Sequence, residues 1–216
     1  VLKSILQSIG DLGRRLFGRR EGSDTRVSEQ EAKPGSSTVS RDALSTLTGV
    51  PIRDLSLFER SLTHRSILRG SPDSHLASNE RLEFLGDAVL GFVVAEYLYN
   101  FFPDKDEGFL TRLRAKLVNG QALASCAKRI GLGNHVLMSG NMEQSGGREN
   151  QTILADAFEA VIGAIYLDVG MEAASRFIHK NLLSEIDLVE LAERHDNYKS
   201  LLLEHAQAQG WPQPEY

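Results

Sequence analysis

The chain has 216 residues, 41% of them hydrophobic and 25% charged, enough to bury one sizeable core and ordinary for a soluble protein. A formal net charge of −5 does not by itself suggest a nucleic-acid partner, but acids gathered around bound cations would distort that sum. The single cysteine, Cys126, excludes an internal disulfide and fits a reducing compartment, and no apolar run reaches the roughly 18 residues of a membrane span.

Residues 1–20 set Ile5, Leu6, Ile9, Leu12 and Leu16 at helical spacing among Lys3, Arg14, Arg15, Arg19 and Arg20, with Asp11 the one acid. This is a short basic amphipathic helix, suited to RNA or an anionic membrane surface; an Arg-rich transit peptide and an extension with no dedicated task are the other readings. Residues 21–39, with Pro34-Gly35-Ser36-Ser37, form a flexible linker. The folded domain starts near Ser40, a helix N-cap for residues through Leu47, and a second helix runs from about Leu55 to Thr63. It leads into Thr63-His64-Arg65-Ser66. Arg65 could pair with an acid of the next long helix, and His64, with no nucleophile beside it, reads as a structural hydrogen-bonder. Residues 69–78 are a loop by their Gly, Ser and Pro content.

The central helix spans about Asn79 to Phe101 and stops before Pro103. At about 100° per residue, Glu80, Glu83 and Asp87 fall within about 60° of one another, so three acids share one face of an otherwise apolar segment. Like charges on a buried stripe repel and lose hydration unless cations answer them. After a turn, residues 109–118 alternate Arg112, Arg114 and Lys116 with apolar residues; the spacing of Leu110, Leu113 and Leu117 predicts a helix. That basic patch either holds phosphates or is a solvated face. A helix over about Gln121 to Ile130 closes at Gly131 and Gly133. The Gly-rich stretch 139–149 is a loop whose Arg148 reaches a phosphate or caps a neighbouring acid. Asn150 to Leu167 is a second apolar helix with Asp156 and Glu159 on one face. If the two acidic helices meet, carboxylates from both converge, the ligand set that hard divalent ions such as Mg²⁺ prefer. Helices over about Glu172–Leu183 and Glu185–Arg194 complete an all-α domain spanning residues 40–194. Residues 195–216 hold one amphipathic helix and an extended Pro-containing segment, too little to bury a core alone.

The run Glu80-Arg-Leu-Glu-Phe-Leu-Gly-Asp87 closely resembles the signature of the ribonuclease III family, metal-dependent endonucleases of double-stranded RNA. Thr63-His64-Arg65-Ser66, Asp106-Glu107-Gly108 with Arg112 and Arg114, Ser145-Gly146-Gly147-Arg148, and Leu154-Ala155-Asp156 with Glu159-Ala160 match in the same order, so the resemblance covers about residues 40–190. It implies that Glu83, Asp156 and Glu159 bind Mg²⁺ (with Mn²⁺ as a substitute), that Asp87 and Glu159 are the catalytic pair, and that Glu80 and Glu107 line the same valley. It further implies a cytoplasmic homodimer without a small-molecule cofactor, products with 5′-phosphate and 3′-hydroxyl ends, and substrates among ribosomal RNA precursors and other structured transcripts. Arg112, Arg114, Lys116, Arg148 and Lys199 are the candidates for RNA contact. Phe84, a large apolar group flanked by the acids, is a candidate dimer contact. Tyr198-Lys199-Ser200 and the residues up to Tyr216 resemble the start of a double-stranded-RNA-binding domain, an α+β module truncated here, so the sequence reads as a fragment of a longer protein. The alternative is a non-catalytic double-stranded-RNA-binding scaffold of the same fold; a small relative without the RNA-binding domain is a third reading.

Overall fold

In the computed structural model, helix α8 (Gln151–Val169) is the axis on which the other helices are hung. From Ile153 to Ile165 nearly every side chain is buried, the exceptions being the half-buried Asp156 and Glu159. The structure describes residues 40–68, 74–193, 206, 207, 209 and 210; the basic N-terminal helix, the linker and most of the tail expected from the sequence, Lys199 included, lie outside the described residues.

In chain order the helices are α1 (Arg41–Thr48), α2 (Leu55–Ser61), α3 (Ser74–Ala77), α4 (Glu80–Phe101), α5 (Glu107–Leu117), α6 (Gly120–Arg129), α7 (Gly140–Gln144), α8, α9 (Met171–Asn181) and α10 (Leu188–Glu193). No strand occurs among the described residues, and an isolated parallel bridge joins Thr63 and Leu137. The fold is all-α, as expected. Among the described residues no helix is long and apolar enough to cross a membrane.

Several helices start where a side-chain oxygen accepts an otherwise orphaned backbone N–H: Asp54 from Ser56 (2.9 Å), Asp106 from Phe109 (2.7 Å), Asn119 from Ala122 (2.9 Å) and Asn150 from Ile153 (3.1 Å). Ser40 precedes α1 without such a bond. Residues 109–117 are helical and Val118 is the C-cap, with Leu113 and Leu117 buried and Arg112 and Arg114 exposed. The expected loops differ in two places. Residues 74–77 form a helical turn, and the Gly-rich stretch contains α7 and a 3₁₀ turn over Gly147–Glu149. In the second case Ser139 Oγ accepts from Met142 N, which starts α7, and Gly146 at φ 83° stops it, so cap and stop residues sit where composition shows a loop.

Phe58, Phe158 and Phe177 fill the core around α8, the last two with ring centroids 5.4 Å apart. Helix α8 packs on α2, α4, α6 and α9. Cys126 is buried within this core, and burial pushes its thiol up. Asp168, near the end of α8, accepts from the backbone N–H groups of Arg53 (2.8 Å) and Asp54 (2.9 Å) and so ties the α1–α2 connection to the central helix.

Candidate metal centre

The two acidic helices meet at a pair of glycines. A Cβ on Gly86 would overlap the backbone carbonyl of Glu159, and a Cβ on Gly163 would overlap the carbonyl of Leu82. With no side chain between them, α4 and α8 come into backbone contact, which is what glycine inside a helix permits at a cost of roughly 1 kcal/mol in helix propensity. Glu83 and Asp87 flank Gly86, and Glu159 lies one turn before Gly163. The crossing therefore brings the acids of one helix against those of the other. One carboxylate oxygen each from Glu83, Asp156 and Glu159 lies within 4.8 Å of the other two.

All three side chains are half-buried. Burial, and then the carboxylates of Asp87, Glu83 and Asp156, push Glu159 up to about 8. Glu83 is raised by burial and then by Asp156, Glu80 and Asp87. Asp156 is raised by burial while the Arg65 guanidinium pulls it back. The donor set is all oxygen and needs a counter-charge, so the cluster is chemically fitted to a hard divalent ion. Asp87 is exposed at the edge of the trio and close enough to act on both Glu83 and Glu159.

The start of α4 is fixed from the other side. Asn79 N donates to Thr63 O (2.9 Å), and Glu83 N donates to Asn79 O (2.8 Å). The Thr63–Ser66 segment is in turn stitched to residues 137–139: His64 N donates to Leu137 O (2.9 Å), Leu137 N to Leu62 O (2.8 Å) and Ser139 N to Ser66 Oγ (3.0 Å). His64 Nδ1 lies 2.9 Å from Ser66 Oγ, the structural hydrogen bond expected of it. Arg65 is thereby held beside Glu80, with Nη1 at 3.5 Å from Oε1, the pairing anticipated from sequence. Ser78 Oγ donates to the other Glu80 oxygen at 3.2 Å.

The remaining sequence candidates separate. Glu107 is exposed in the first turn of α5, where Oε1 accepts from Thr111 at 2.8 Å, and it is not one of the three converging acids. Lys116 is half-buried and donates to the carbonyl of Leu191 (3.3 Å). Arg148 turns inward: Nε donates to Glu143 (2.7 Å) and Nη1 to the carbonyls of Gly133 (2.8 Å) and Val136 (3.2 Å). It braces the loop, closer to the acid-capping alternative than to the phosphate one. Gly86 and Gly163 went unread in the sequence; glycines spaced along two apolar acidic helices were the available signal.

Residues 54–186 match the family model described as Ribonuclease-III-like. The chain is 43% identical over 175 residues to the Ribonuclease 3 of Chlorobaculum tepidum, covering 80% of this chain and 64% of that protein. It is 44% identical over 179 residues to the Ribonuclease 3 of Pseudomonas fluorescens, covering 83% and 75% respectively. The chain thus spans less than two thirds of the length of the first of these relatives. Among solved structures it resembles the nuclease domain of ribonuclease III from Campylobacter jejuni, described as flexible in a region involved in dimer formation, with a TM-score of 0.60 and 43% identity over 66% of this chain and 98% of that one.

Proposed function

Because the chain belongs to the ribonuclease III family, we propose that it is an endoribonuclease that hydrolyses phosphodiester bonds of double-stranded RNA, with Mg²⁺ held by Glu83, Asp156 and Glu159. The observation that carries this reading is the convergence of those three carboxylates within 4.8 Å at the α4–α8 crossing. Bound divalent ions would supply a polarised phosphate oxygen and an activated water, and Mn²⁺ would substitute. The chain's own residues do the rest. Glu159, pushed up to about 8, must give up its proton to act as a ligand near neutral pH, so cation binding and deprotonation are linked. Asp87, exposed beside the trio, would orient the attacking water and receive its proton, forming with Glu159 the catalytic pair. Glu80, gripped by Arg65 and Ser78, adds negative charge at the rim of the cluster. The products would carry 5′-phosphate and 3′-hydroxyl ends.

Recognition would rest on the A-form shape of the duplex, whose shallow minor groove presents 2′-hydroxyls and phosphates. Exposed Arg112 and Arg114 on α5 are suited to such contacts, with Lys199 further along the chain. Ribosomal RNA precursors and other structured transcripts in the cytoplasm are substrates of this kind. A homodimer is supported by α4, where Phe84 (80% exposed), Phe92 (55%) and Tyr99 (71%) stand within about 80° of one another around the helix, leaving an apolar stripe uncovered.

The test is cleavage of an end-labelled RNA duplex, with a single-stranded control, in Mg²⁺ or Ca²⁺ and with Glu159→Ala. Cutting confined to the duplex, dependent on Mg²⁺ and abolished by the substitution is expected. Duplex binding without cutting in either metal would replace the nuclease reading with that of an RNA-binding scaffold.

A further inference from the structure

A hollow of about 520 Å³ is lined in part by His64, Arg65, Ser66, Asn150 and Thr152. Thr152 precedes Asp156 by four residues on α8, so the two share a helix face about 6 Å apart along the axis. Arg65 reaches both places: it lines the hollow, and its charge is felt at Asp156. Among the described residues no carboxylate lines the hollow, in contrast to the cluster one turn away. Its floor is fixed, because Ser66 is buried and its hydroxyl is engaged by His64 and by the backbone of Ser139. The Arg65–Glu80 pair is long, at 3.5 Å, and the arginine side chain is 73% exposed, so water screens the pairing and little is lost when the guanidinium turns to another anion.

The Arg65 guanidinium, the Thr152 hydroxyl and the Asn150 amide, set among the apolar Leu68, Met142 and Ile153, suit phosphate oxygens, for which a guanidinium fork is the preferred partner. The rise of roughly 6 Å along the helix from Thr152 to Asp156 is of the order that separates successive phosphates along a strand. A strand whose scissile phosphate sits at the carboxylates also needs a positive contact nearby to offset their charge. We infer that this hollow binds the backbone phosphate next to the one being cut, with Arg65 as its charged contact and Thr152 as a neutral donor. The inference rests on the reading of the cluster as a double-stranded-RNA nuclease.

The test uses the 216-residue chain and an RNA duplex whose cleavage position has been mapped, with a neutral methylphosphonate placed in turn at each phosphate flanking the scissile one. Binding is read in Ca²⁺ and single-turnover cleavage in Mg²⁺. Arg65→Gln is expected to weaken binding about tenfold, the effect of losing a charged hydrogen bond. It should also lower the slope of log affinity against log salt by about one. Arg65→Lys restores the slope but not the full affinity, because it keeps the charge and loses the fork. Thr152→Val weakens binding about threefold with an unchanged melting temperature. At one flanking position the methylphosphonate weakens the wild type as much as Arg65→Gln does, and it has no further effect on that variant. Arg65→Gln retains the stabilisation conferred by Ca²⁺, which separates loss of a phosphate contact from loss of the metal. A wild-type chain that cuts the duplex while the methylphosphonate and Arg65→Gln effects add independently at every position overturns the phosphate site and leaves the nuclease reading intact. A chain that cuts no duplex overturns both.

Discussion

Replacing Glu159 with glutamine should make the cation-free protein more stable at pH 8, although it alters a residue proposed for catalysis. Burial and three neighbouring carboxylates push Glu159 from an ordinary 4.5 up to about 8. Its folded-state pKa thus exceeds the unfolded one, and between these values the native state holds the extra proton. The stability linked to Glu159 is therefore fully present below about pH 4.5 and is lost as pH rises towards and through 8. At 1.36 kcal/mol per pKa unit the loss has a ceiling of about 5 kcal/mol. Partial hydration and sharing of the proton with Glu83 and Asp156 reduce the expected gain in Glu159→Gln to about 1–2 kcal/mol at pH 8. For a domain of this size that is a rise in Tm of about 3–6 °C. Thermal melts with a chelator from pH 4.5 to 8.5 provide the assay. The wild type should lose Tm as pH climbs and regain it on addition of Mg²⁺ or Ca²⁺, whereas Glu159→Gln should show a flatter profile and little response to either ion. Asp54, whose carboxyl is held low by the Ser56 hydroxyl, acts in the opposite sense and at more acidic pH, outside this window. A Glu159→Gln protein that melts lower than the wild type at pH 8, or shows the same slope with pH, would refute the claim that these acids are held together against their own repulsion.

Cation affinity should rise with pH up to about 8 and binding should release up to about one proton, measurable by calorimetry in buffers of different ionisation enthalpy. Gly86→Ala and Gly163→Ala should each cost about 1–3 kcal/mol or more by forcing the α4 and α8 backbones apart. Both should also abolish stabilisation by divalent ions while every carboxylate remains, as read by paired melts with and without Ca²⁺. Phe84→Asp, at a side chain 80% exposed, should leave the protomer's stability within about 0.5 kcal/mol and shift sedimentation towards monomer. A variant that sediments as the wild type does would count against α4 as the contact.

The acidic stripes were legible because the spacing of Glu80, Glu83 and Asp87 repeats with the helix, and periodicity survives translation from sequence to structure. Their meeting with Asp156 and Glu159 was legible only as a conditional. It depends on the glycine crossing, and one-dimensional spacing does not say which two helices touch. The role of Arg65 followed from its position before an acidic helix, and the acid-capping alternative for Arg148 is met by Glu143; only its further acceptors, the carbonyls of Gly133 and Val136, are ones that residue types cannot announce. The turn at α7 was hidden because Ser and Gly signal a loop and a cap equally well.

The contact at Gly86 and Gly163 also insulates the site from the rest of the interior. Elsewhere the spacing between helices is set by layers of leucine and phenylalanine, so it shifts when those side chains are trimmed or repacked. At the crossing, main chain rests directly on main chain, and the separation between the two sets of carboxylates is set by peptide dimensions as long as both glycines are kept. Variation in the surrounding core can therefore drift through many combinations of apolar residues, lowering or raising the melting point, while each molecule that remains folded presents the same constellation of oxygens.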